Sequence, residues 1–120
     1  MKIGDAISGN NGQRYEIKSL LGHGLWAKTF SARSKEGGEW ILKTPLQPSD
    51  FPAGEEHLAE ICRNIVLDLI QLFEKNRLPD ILAPKKSFVS DQGIPALIFH
   101  HNENHLERKL NKKISLQELL

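Results

Sequence analysis

The chain is poor in cysteine, in long apolar runs and in net charge, and each shortage removes a class of protein. Cys62 is the only cysteine in 120 residues, which excludes an internal disulfide framework and fits a reducing compartment. The longest apolar stretch, residues 65–73, is interrupted by Asp68 and Gln71. It falls well short of the roughly 20 apolar residues that a bilayer requires. No apolar segment follows Met1-Lys2-Ile3-Gly4-Asp5, so the opening does not read as a signal peptide. A formal net charge of +1 supplies no bulk attraction to nucleic acid or to a membrane surface. The expectation is a cytoplasmic protein with neither as a partner. No internal repeat or low-complexity tract is present.

What is present is a change of period along the chain. Residues 14–20 (Arg-Tyr-Glu-Ile-Lys-Ser-Leu) alternate polar and apolar, the strand period. Gly22 and Gly24 punctuate that strand's end, and residues 29–33 read as a second strand. Glu36-Gly37-Gly38-Glu39 reads as a hairpin turn and residues 40–43 as a third strand. Pro45, Pro48 and Pro52 mark an irregular connection. A helix is expected from Glu55 to Asn76, with Glu55 and Glu56 in its first turn, Lys75 and Arg77 at its end, and Pro79 as its stop. Its apolar positions (Leu58, Ile61, Cys62, Ile65, Val66, Leu67, Leu69, Ile70, Leu72, Phe73) run nearly all round in the second half, which predicts cover on more than one side. Residues 81–83 and 86–89 suggest a short strand, 91–93 a turn, and 95–99 another strand. Leu106 to Leu110 suggests a helical turn. Ser115 is an N-cap for a helix starting at Leu116. The fold class expected is α+β: a five-stranded antiparallel sheet with one major helix, plus the start of a C-terminal helix.

The segment Leu21-Gly22-His23-Gly24-Leu25-Trp26-Ala27-Lys28-Thr29 carries the chemistry. It fits a P-loop, G-x-x-x-x-G-K-T, with Ala27 in the last glycine's place, and it fits a glycine-rich flap between two strands. Both hold phosphate with backbone N–H groups and use glycine so that the chain can approach closely. A P-loop must run into a helix whose N-terminus faces the phosphates, whereas residues 29–43 carry β-branched and aromatic residues and a Gly-Gly turn. A glycine-rich hairpin with no ligand is the third reading.

With Tyr15-Glu16-Ile17, Leu20 to Gly24, Ala27, Phe30, Ala32 and Trp40-Ile41-Leu42-Lys43, the chain resembles the N-terminal small lobe of a bacterial Ser/Thr protein kinase. Lys43 follows Gly22 by 21 residues, close to the family's separation. The similarity continues through residues 78–82, 87–89, 96–99 and 106–110, in the family's order. The resemblance implies a small lobe over residues 1–101, and a hinge exit with the beginning of a large lobe over 102–120. It implies ATP as the ligand, with Leu21, Gly22, His23, Gly24, Ala27 and Thr29 in the flap over the phosphates. Lys43 becomes the phosphate-neutralising lysine, Ile41 the base-facing residue where the family has a small alanine, and Phe99, His100 and His101 the hinge against adenine. Asp68 or Glu60 is the expected carboxylate partner of Lys43. His100, His101 and His105 are also spaced for a metal, but the ligand set is incomplete and none is assigned. The family's H-R-D-x-x-x-x-N and D-F-G segments do not occur in these residues, so this chain alone is expected to be inactive, with magnesium bound only if a large lobe is present. The expected partners are that lobe or another protein, and self-association through the apolar helix surface. A pseudokinase or regulatory lobe that binds protein without phosphotransfer is the alternative, favoured by the bulk of Ile41.

Overall fold

The alternation that begins at residue 14 becomes a strand because Tyr15 and Ile17 are buried while Arg14, Glu16 and Lys18 face water, the pattern of a sheet with one face on a core. The computed structural model describes residues 2–9, 12–78 and 83–100. Within them run β1 (Ala6–Ser8), β2 (Arg14–His23), β3 (Ala27–Ser34), β4 (Glu39–Pro45), a 3₁₀ turn (Pro48–Asp50), α1 (Leu58–Glu74), β5 (Lys86–Val89) and β6 (Pro95–His100). The strands form one sheet in the order β1-β2-β3-β4-β6-β5, antiparallel at each pairing.

The sheet has six strands, not five. The added member, β1, is three residues long, too short to show a period, and lies at the sheet's edge. A bridge between Gly9 and Ser90, and a 3.0 Å bond from Asp91 N–H to the Ser8 carbonyl, bring the outer strands β1 and β5 together. The sheet therefore curls around a core of Ile7, Tyr15, Ile17, Phe30, Ala32, Leu42, Phe88, Ala96 and Ile98. Tyr15 stacks on Phe88 at 5.9 Å and meets Trp40 edge-on at 6.5 Å.

The opposite face carries α1. Val66 and Ile70 pack with Ile41, Leu97 and Phe99 into a second core. Burying each such side chain contributes about 1.5–3 kcal/mol. The helix is shorter than expected at both ends, and its stop is Asn76 rather than Pro79. Asn76 adopts a left-handed φ of 54°, Arg77 N–H bonds to the Leu72 carbonyl at 2.8 Å, and Asn76 N–H bonds to Phe73 O at 3.0 Å. These bonds close the last turn. The turns at Gly37 (φ 90°) and Gly93 (φ 80°) use the conformation that glycine alone adopts without strain. Ala83 lies outside β5, and residues 79–82, with the expected C-terminal helix and the rest of 101–120, fall outside the described residues.

Candidate functional site

Strand register assembles the site. In an antiparallel pair, directly opposed residues share a face. Gly22 opposes Thr29, Thr29 opposes Lys43, and Lys43 opposes Leu97. The neighbouring row runs Ser19, Ser31, Ile41, Phe99. Gly22, Thr29, Ile41, Lys43 and Phe99, singled out from positions as far apart as 22 and 99, thus come together on the α1 side of the sheet. A register shift between Leu20 and Gly22 inserts Leu21, which packs on the same apolar cluster.

The glycine loop is a hairpin. His23 ends β2 opposite Lys28, and Gly24, Leu25 and Trp26 make the tip. Gly24 N–H donates to the Ala27 carbonyl at 2.8 Å. A strand rather than a helix follows, which removes the geometry a P-loop requires. The tip is tethered to the exit of β4, where Leu46 N–H donates to the Trp26 carbonyl at 3.0 Å. At its base the Lys28 ammonium donates to Asp50 Oδ1, the two side chains being 21% and 11% exposed. Burial pushes the Asp50 carboxyl upward, but the hydrogen bonds from Lys28 and from Gln47 N–H (2.7 Å), with the charges of Lys28 and His23, outweigh it. The group is held below the ordinary carboxylate value.

Lys43 is half-buried, its ammonium 5.5 Å from the centre of the Phe99 ring, a cation–π distance. Asp68 and Glu60 are both exposed, and neither makes an ion pair among the described residues. Glu60 lines a groove of about 410 Å³ with Pro45, Gln47, Arg63 and Ile94. His23 and Gly24 are exposed and Ala27 is buried. His100 is exposed and stacks on Trp40 at 4.8 Å, on the face opposite Phe99. His101 and His105 lie outside the described residues. Burial raises the Cys62 thiol, partly offset by backbone hydrogen bonds at Cys62 and Leu46, so it stays protonated at neutral pH.

Trp26, Leu46 and Asp50 belong to the site and were assigned no role from the sequence, and Lys28 was read there only as the lysine of a P-loop. Trp26 carried one available signal, a large apolar residue at the tip of a glycine turn, where water-facing residues are the norm. The Lys28–Asp50 pair spans 22 residues and carried none. No protein-family model matches the chain, and no curated protein matches it. Among the described residues no helix is long and apolar enough to cross a membrane.

Proposed function

We propose that this chain is the ATP-binding small lobe of a protein-kinase-like domain. The observation that carries the reading is the shared face of Gly22, Thr29 and Lys43: a bare backbone, a hydroxyl and an ammonium beneath a glycine hairpin. Such a set suits the oxygens of a polyphosphate. Gly22 and Gly24 carry no side chain to hold a phosphate away from the hairpin backbone, Thr29 offers a hydroxyl donor, and Lys43 offsets phosphate charge. The apolar cluster of Leu21, Ile41 and Phe99 beside them suits a flat purine. The H-R-D and D-F-G segments that supply a catalytic base and magnesium ligands in that family do not occur in these residues. Phosphoryl transfer from ATP to a protein would need a large lobe, and this lobe contributes binding and orientation.

The reading predicts weak binding, because a second lobe normally supplies about half of a nucleotide's contacts. Calorimetric titration of the full 120-residue chain with ATP should give a dissociation constant of about a millimolar, weakened about tenfold or more by Lys43→Ala. Binding indifferent to that substitution would remove Lys43 from the site. The second reading, a regulatory lobe that binds protein without phosphotransfer, is favoured by Ile41, which is 1% exposed, and by the exposure of both Asp68 and Glu60. A lobe committed to that role shows no response to ATP at any concentration.

A further inference from the structure

The tip of the glycine hairpin turns one residue out and the next one in. Leu25 is 94% exposed, while Trp26 is half-buried and packs with Leu21 on the cluster of Ile41, Val66, Ile70, Leu97 and Phe99. Backbone bonds and one ion pair hold the hairpin in this posture: the Trp26 carbonyl accepts from Leu46 N–H at 3.0 Å, Gly24 N–H closes on Ala27 O at 2.8 Å, and the Lys28 side chain is paired with that of Asp50. Ile41, the residue at the base-facing position of the proposed site, is already covered.

We propose that Trp26 is the gate of this site. Its indole occupies the apolar floor where a purine would lie, and a nucleotide binds by displacing it. The inference rests on the nucleotide reading above and goes further, since it assigns the control of access to one side chain. An indole and a purine are both flat bicyclic aromatics, so a floor that accepts one accepts the other. Competition between them lowers the apparent affinity by the fraction of molecules in which the indole is out. The same cluster includes Val66 and Ile70 of α1, so displacement of Trp26 also loosens one wall against which the helix rests.

The chain has two tryptophans, Trp26 and Trp40, so the Trp40→Phe chain reports on Trp26 alone. Its emission should be blue-shifted and poorly quenched by acrylamide without ligand, then red-shifted and more quenchable as ATP is added. Trp26→Ala should bind ATP about tenfold tighter or more than the unaltered chain, and Trp26→Phe should fall between them, which keeps the comparison available if the alanine chain folds poorly. Equal affinity in all three chains, or ATP binding that leaves the Trp26 emission unchanged, overturns the gate and leaves the nucleotide reading standing. An indole that stays shielded while none of the chains binds ATP at millimolar concentration overturns the nucleotide reading and the gate with it.

Discussion

Asp50 shows how much one residue's setting does in this fold. Its carboxylate receives Lys28 from β3 and Gln47 N–H from its own turn, and so ties the hairpin base to the chain leaving β4. Its acidity is greater folded than unfolded. The associated stability is therefore fully present above the unfolded value of about 3.9 and is lost as pH falls through the lower folded value. Asp50→Asn should cost about 1–3 kcal/mol at neutral pH, because Lys28 is left without its charged partner. The same substitution should flatten the acid limb below about pH 4. Urea unfolding of both chains across a pH series checks this. Equal stability at pH 7 with the same acid limb would show the pair to be idle. Charge pairs of this kind are invisible in a sequence, since neither partner's local pattern refers to the other. Lys28 was instead legible as a P-loop lysine, a role that β3 removes. Asp68, one of the two carboxylates expected to pair with Lys43, is exposed: at 100° per residue it falls outside the arc of Ala59, Cys62, Val66 and Ile70 that meets the sheet.

At the scale of elements, period decided what was legible. β2, β3, β4 and β6 show alternation or compact apolar runs bounded by glycine and proline, and each appears within a few residues of its expected place. β1 is too short to alternate, and α1 lost residues at both ends to turns that helical periodicity does not describe. The Asp91-Gln92-Gly93 turn was legible from Gly93, whose φ is 80° and whose N–H bonds to Ser90 O at 2.8 Å. Gly93→Ala should cost about 1 kcal/mol or more through strain at that φ, measurable as a lowered midpoint in thermal unfolding; an unchanged midpoint would contradict it. The apolar excess of α1 remains partly uncovered: Ile61 is 55% and Leu72 38% exposed, with Ile65 half-buried between them on one flank. Leaving such side chains wet forgoes on the order of 1 kcal/mol each. We expect the chain to self-associate through this flank. Sedimentation over a concentration series should show it, and Ile61→Glu should return the chain to monomer without loss of stability. A chain that stays monomeric at all concentrations would show that the flank is satisfied as it stands.

The whole molecule has two sides with different work. Inside the curl, the aromatic and aliphatic core around Tyr15 and Ile98 holds six strands in register. Outside it, the same strands present the glycine hairpin, Thr29 and Lys43 beside α1. The order of the elements was legible because each carries its own local signal. The convergence of Gly22, Thr29, Lys43 and Phe99 was expected only through the resemblance, because no local pattern carries a strand order in which β6 inserts between β4 and β5. The inward turn of Trp26 depends on a tether to Leu46 that no local pattern encodes. The most direct test of the proposal that this convergence is a nucleotide site is a two-dimensional amide NMR titration of the full chain with ATP. A nucleotide site there gives resonance shifts concentrated at Gly22, Gly24, Trp26, Thr29 and Lys43, saturating in the millimolar range and reduced by Lys43→Ala. Shifts scattered over the β1–β2 and β3–β4 turns, or none at all with ATP in excess in both the unaltered and the Trp26→Ala chains, would contradict it.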